Sequence, residues 1–311
     1  MNNNKIKKIL IAVFMTLLLT GCTTQLTDSD NKRVTNPETG QALTKNILCQ
    51  PENEDVINIY KEHEEVSNVK IDELPKCENF SVTSGGYDGI WSTFIVKPLA
   101  WLIIQFGNIC KNYGVGLIIT SLLIRLVSLP ITKKTAQQSE LMKEAKPALD
   151  RLEKKYAGKT DRDSMMKKSN EMTMIYKKYN INPISGCIYA LIQIPLFIGF
   201  FEAINRVPAI FEGRLFGLQL GTTITTALSK GYFLYMILTI IVGLTTYYSF
   251  KLNSASNPDN QQAKMMSRVM VIMIIVMSFF MTSALNIYWV TTNLFTVVQN
   301  LIIKKKKVKV K

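Results

Sequence analysis

The chain has 311 residues, 47% of them hydrophobic, and a formal net charge of +14. With one histidine, His63, and no Cys-x-x-Cys pair, it has almost nothing from which to build a zinc site or a histidine-based triad. After residue 90 the apolar residues gather in runs of about twenty, the length that crosses a hydrocarbon core of ~30 Å, and the basic residues flank those runs. This pattern points to a membrane protein and away from nucleic acid binding.

Residues 1–21 read as a targeting segment: Lys5, Lys7 and Lys8 form a basic start, and Ile9 to Thr20 an apolar stretch too short to span. It ends in Leu19-Thr20-Gly21-Cys22, which resembles the bacterial lipobox. That resemblance implies cleavage before Cys22 and a lipid on its thiol, anchored at the outer face. Residues 22–86 are polar, with recurrent proline and glycine, and read as an extracellular tether, partly disordered, with a short helix around Val56 to Val66. Cys49 and Cys77 both fall in this oxidising segment. A bridge between them and two free thiols are both open, because spacing does not fix the Cα separation. Cys110 and Cys187 fall in or near apolar segments and read as small inert hydrophobes.

Residues 87–110 are apolar but interrupted by Lys97-Pro98, with Tyr87, Trp91, Phe94 and Trp101 suited to the headgroup level. They predict an amphipathic helix along the outer interface; a first span is the competing reading. Five transmembrane helices follow, at 113–131, 184–204, 231–250, 265–281 and 283–303. Between them lie a cytoplasmic segment at 132–180, an extracellular loop at 205–230 and a cytoplasmic loop at 251–264, and a basic tail closes the chain at 304–311. Segment 132–180 carries thirteen Lys/Arg and the tail six lysines, against Arg206, Arg214 and Lys230 in 205–230. The positive-inside rule then sets the N-terminus outside and the C-terminus in the cytoplasm.

Segment 132–180 predicts a helical hairpin. Leu141, Ala145, Ala148, Leu152 and Tyr156 recur at seam spacing, answered by Met165, Met172, Ile175 or Tyr176, and Tyr179. Gly158 breaks the first helix, and Thr160 with Asp163 resembles a capping box. Its lysines suit anionic lipid or ribosomal RNA.

Polar residues inside the spans fall on single helix faces. Ser121, Arg125, Ser128 and Thr132 step by four, three and four; Ser185, Tyr189 and Gln193 by four; Asn286, Trp289, Asn293, Thr296 and Asn300 by three and four. Such stripes face a bundle interior or a wet cavity rather than lipid, so three of them imply a hydrophilic groove holding Arg125. Interhelical glue suits Ser128 or Thr296, but for Arg125 it fails for want of an acceptor: no Asp or Glu lies within a span, and Glu202 at the outer end of the second is the nearest. In the fourth span Met266, Met270, Met273, Met277 and Met281 form a flexible apolar stripe, which plain helix packing explains equally well. The fold class is therefore an all-α membrane protein: five transmembrane helices around a hydrophilic groove, an outer interfacial amphipathic helix and a cytoplasmic helical hairpin.

"YGVGLIITSLLIRLVSLPIT", the charged hairpin, "NPISGCIYALIQIPLFIGFFEAI" and "ALNIYWVTTNLFTVVQN" occur in an order that resembles the YidC/Oxa membrane protein insertases. The lipobox and five spans are similar to the Gram-positive lipoprotein form. The resemblance implies insertion of hydrophobic segments into the bacterial cell membrane, alone or with the Sec translocon, without enzymatic chemistry or cofactor. It implies a groove open to cytoplasm and lipid, with Arg125 as the groove arginine and Gln193 and Trp289 as groove residues. The implied partners are nascent membrane proteins, ribosome or targeting factors at 132–180 and the basic tail, and anionic lipids. Residues 23–86 have no counterpart in that pattern. The competing function is a secondary transporter or channel with an anion site at Arg125, which would be expected to show repeated or paired broken helices.

Overall fold

The computed structural model describes residues 24–65, 70–86, 88–182, 185–253 and 261–308, without side chains at 185–192, 253, 261–264, 266–267 and 304–308. The targeting segment, Cys22, Tyr87 and the end of the basic tail lie outside the described residues, as do the side chains of Ser185, Cys187, Tyr189 and Met266. The described chain is mostly helical and divides into two compact units. The first holds Met1–Ile124, Ile194–Val242 and Ile275–Thr292; the second holds Arg125–Gln193, Gly243–Ile274 and Asn293–Lys311.

In the first unit, residues 24–65 and 70–82 are folded where their polarity suggests a partly disordered tether. Isolated β-bridges Gln25↔Thr44, Thr27↔Arg33 and Thr35↔Ala42 fold the start of the segment back on itself. Helix α1 (Glu54–Glu62) follows, with Asn53 as its cap accepting from the amides of Asp55 and Val56. Leu26, Leu43, Ile47, Val56, Tyr60 and Ile71 form a small core with Phe211. The Tyr60 hydroxyl donates to the Thr44 carbonyl at 2.9 Å, and burial pushes its phenol pKa far up. The sulfurs of Cys49 and Cys77 are 2.08 Å apart, with Cα atoms at 4.8 Å. Composition misled here because a core of so few side chains, scattered over about fifty positions, leaves the average polar.

A π-helical turn at Ser92–Val96 leads into α2 (Lys97–Cys110). Pro98 does not kink this helix. It sits in the first α-helical turn, where the π-helical turn passes into α2. Trp91, Val96, Leu99, Ala100, Ile103 and Ile104 are buried, while Phe94 and Ile109 are exposed. Cys110 is an exposed free thiol, not a buried hydrophobe. Helix α3 (Tyr113–Val127) packs back onto α2 through Gly116, where a Cβ would lie 2.4 Å from the Ile103 carbonyl oxygen.

The predicted span 113–131 stops at Val127. Helix α4 (Leu129–Lys155) continues at 66° after a break at Ser128. Pro130 explains the break, since it lacks an N–H and disfavours helical backbone before it. The second unit then builds the hairpin from α4 and α5 (Arg162–Lys178). Ala145, Leu152 and Tyr156 are buried at the seam, but Met165 is exposed. The cap of α5 is Asp161, accepting from the Ser164 amide at 2.8 Å; the Thr160/Asp163 box does not form. Glu171 accepts from Lys155 at 2.6 Å and from Tyr156 at 2.9 Å across the hairpin. Lys155 and then Tyr156 hold its carboxyl below the usual range.

Helix α6 (Ser185–Arg206) begins in the second unit and ends in the first, followed there by α7 (Pro208–Glu212), the two-residue strands β1 (Arg214–Leu215) and β2 (Leu218–Gln219), and α8 (Ile224–Ser229). Helices α9 (Leu234–Asn253), α10 (Gln261–Phe280) and α11 (Ser283–Val308) complete the chain. The amides of Ser283 and Ala284 donate to Thr222 and Leu220 carbonyls, which satisfies the orphan donors at the start of α11. Among the described residues, Ser92–Cys110 and Leu234–Leu252 are long and apolar enough to cross a membrane; α3 with α4 passes as a bent pair, and Arg268–Phe280 is a shorter apolar helix. Met270, Met273 and Met277 stand exposed on α10, so that stripe is an outward face rather than core.

Candidate functional site

Of the seven residues expected to line a groove, Ser121, Asn286 and Trp289 belong to the first unit, and Arg125, Ser128, Gln193 and Asn293 to the second. Helix α3 is two-faced where it carries Arg125. Leu122, Leu126 and Val127 are exposed, whereas Ser121 and Arg125 are buried at 1% and 5% exposure. The Arg125 guanidinium makes no hydrogen bond or ion pair among the described residues. Glu202, the carboxylate nearest to it in the sequence pattern, is engaged elsewhere: it accepts from the Trp91 indole at 2.9 Å and lies 3.8 Å from Arg206.

The second unit surrounds its helices with hydroxyls and amides. Thr132, Thr245, Thr246, Ser249, Thr296 and Gln299 are buried in it together with Arg125. The Asn293 amide donates to the Thr246 hydroxyl at 2.9 Å, and Gln299 and Thr132 are within hydrogen-bond distance of each other at 3.1 Å. Gln193 is half-buried, and its side-chain oxygen has no hydrogen-bond partner. Ser128 occupies the break between α3 and α4. An unpaired guanidinium among neutral dipoles suits a transient anionic visitor better than a permanent structural pair would.

The residues of the first unit act differently. The Ser121 hydroxyl bonds back to the Leu117 carbonyl at 2.7 Å, within its own helix. The Asn286 amide donates to the carbonyls of Ser278 and Thr282 at 3.0 and 3.3 Å. It fastens the turn between α10 and α11 through its amide nitrogen, while its buried side-chain oxygen has no hydrogen-bond partner among the described residues. Trp289 is half-buried with its ring 5.3 Å from that of Phe197, and Phe200 stacks on Tyr288 at 4.4 Å. This unit therefore carries an aromatic collar where α6 meets α11.

The model of the 60Kd inner membrane protein family matches residues 105–310, well over half of the chain. The chain belongs to the YidC/Oxa membrane protein insertase family. It is 38% identical over 226 residues to "Membrane protein insertase YidC" of Oceanobacillus iheyensis, covering 70% of this chain and 85% of that one. It is 36% identical over 221 residues to "Membrane protein insertase MisCA" of Bacillus subtilis, covering 70% and 81%. The fold is similar to that of "Active YidC insertase crystal structure with the first transmembrane domain resolved", with a TM-score of 0.52 at 20% identity, over 79% of this chain and 53% of that one.

In this insertase-family chain α9 buries more polar side chains than its sequence suggested. Thr245, Thr246 and Ser249 recur at three and four, the same signal that marked the other stripes, but they are set among tyrosines in an apolar run. Gln299 was hidden by its neighbour. Asn300 continues the three-four spacing, yet Gln299 is the more deeply buried and bonds Thr132. Lys143 was also missed: its ammonium donates to the Leu252 carbonyl at 3.1 Å, a cation at the C-terminal end of α9. Among the described residues no group of His, Cys, Asp and Glu could hold a metal ion.

Proposed function

We propose that this chain is a bacterial membrane protein insertase and folding chaperone that uses Arg125 to lower the barrier for polar tails. The observation that carries the reading is the buried Arg125 guanidinium of α3, which has no hydrogen-bond or ion-pair partner among the described residues. A client with a short acidic tail must bring charge into hydrocarbon. A cation in a low-dielectric hollow attracts that charge far more strongly than one in bulk water. The hydroxyls of Thr245, Thr246, Ser249 and Thr296 supply dipoles along a polar interior, which shortens the dry path. The client's apolar segment then leaves into lipid beside the exposed faces of α3, α9 and α10, driven by its own burial. Arg125 is not catalytic here.

The basic balance supports a cytoplasmic hairpin and tail and an outer N-terminus, with Cys22 as the lipid-bearing residue and Cys49 bridged to Cys77. The lysines of the hairpin and tail suit the ribosome, targeting factors and anionic lipid, and the Sec translocon is a partner for larger clients. Insertion of a single-span client into proteoliposomes tests the reading. Arg125→Glu abolishes insertion of acidic-tailed clients, and Arg125→Lys largely keeps it. If Arg125→Ala inserts every tail at the wild-type rate, the electrostatic role of Arg125 is wrong.

A further inference from the structure

The family match begins at residue 105, which leaves the folded segment 24–65 and 70–82 without a role. It is bonded along its length to the loop 205–230. The Thr223 amide donates to the Thr39 carbonyl, the Leu48 amide to the Arg206 carbonyl, and the amides of Glu52 and Asn53 to the Glu212 carboxylate. The Lys230 ammonium donates to the Glu38 carbonyl at 2.9 Å. The apolar contacts are continuous as well. Leu48, Cys49, Cys77 and Phe80 belong to the same buried cluster as Ile204 and as Phe200 and Tyr288 of the aromatic collar.

Arg206 sits at the join, with its side chain 2% exposed. Its Nε donates to the Asn46 carbonyl at 2.7 Å, Nη1 to the Ser92 hydroxyl at 2.8 Å and Nη2 to Asp88 at 2.9 Å; Glu202 is 3.8 Å away. Lys97 also approaches Asp88 at 3.8 Å and donates to the Gly86 carbonyl. Buried charges of this kind are stable only while every partner is in place and water is kept out. Asn46 and the four apolar residues of the segment supply one partner and part of the cover.

We propose that residues 24–65 and 70–82 are an outer stopper: they complete the closure of this end of the first unit against water and ions, with Arg206 as the joint. The proposal rests on the outward placement of this end given above. A protein with a wet interior reachable from one side of a membrane must be dry at the other, or it dissipates the membrane potential. Lifting the stopper would open the Arg206 cluster to water and strip four side chains from the buried cluster that includes Phe200 and Tyr288.

Gly40 offers a way to lift it without touching a span. Its φ is +69°, and a Cβ there would lie 1.9 Å from the Thr226 hydroxyl oxygen. The test uses the full chain in liposomes holding an internal pH dye and an imposed potential, with no client present. Gly40→Ala, and wild-type protein whose Cys49–Cys77 bridge has been reduced, are expected to admit protons several-fold faster than oxidised wild type. Gly40→Ala should still insert a single-span client. Unchanged proton entry, while limited proteolysis shows the segment released, would overturn the proposal. Should Gly40→Ala fail to fold, the reduced wild type provides the same comparison. If the leak differs as expected but wild type inserts no client, the insertase reading fails and the stopper stands.

Discussion

A lone arginine in an apolar run is costly, roughly 2.5–3.5 kcal/mol at the centre of a membrane helix on insertion scales. Arg125 is tolerable because its helix turns it away from the exposed Leu122, Leu126 and Val127 and because buried hydroxyls and amides share its unit. Those groups are held by each other. The Asn293–Thr246 bond should contribute about 0.6 kcal/mol, the average for such pairs between membrane helices. Asn293→Leu and Thr246→Val should therefore destabilise less together than the sum of the two alone, as read by denaturation in detergent. Additive effects would mean that the bond carries no weight. Arg125 was legible in the sequence because charge in an apolar run stands out. Gln299 was not, because one residue of helix is a rotation of about 100°, and only packing decides which of two adjacent amides turns inward.

At the scale of elements, the hairpin and the ends of the spans were read from periodicity and proline, and their errors are informative. Pro130 was taken inside a span, although the steric rule for prolines places a break there. Pro130→Ala restores a backbone donor and should reduce the 66° bend between α3 and α4. Spin-label distances between positions on the two helices would lengthen, and an unchanged distance would assign the bend to packing instead. The α5 cap depends on pH. Hydrogen bonding from the Ser164 amide holds the Asp161 carboxyl below its ordinary value of 3.8. A carboxyl with a lowered folded pKa stabilises above its unfolded pKa and loses that contribution as pH falls through the folded one. Protection of the Ser164 and Met165 amides, relative to intrinsic exchange at the same pH, should thus fall below about pH 4 in wild type, and Asp161→Ala should show the lower protection at neutral pH with no such step.

For the molecule as a whole, the distribution of apolar and basic residues revealed a multi-span protein, because length and charge bias are properties of the chain itself. The folded outer segment was illegible. Its stability comes from long-range contacts such as Phe211 with Tyr60 and Arg206 with Asn46, and no local pattern records those. The central claim concerns water: the Arg125 position must be reachable from the aqueous phase. A variant with Cys110 and Cys187 replaced by Ser and with Arg125→Cys isolates that position, and Leu126→Cys on the exposed apolar face of α3 provides the control. Inverted membrane vesicles expose the cytoplasmic side to a charged, membrane-impermeant maleimide. A hydrated polar interior predicts rapid labelling at position 125 and little at position 126. No labelling at 125 under conditions that modify a cysteine in the hairpin would show the arginine site sealed from water, and the route for polar tails would have no entrance.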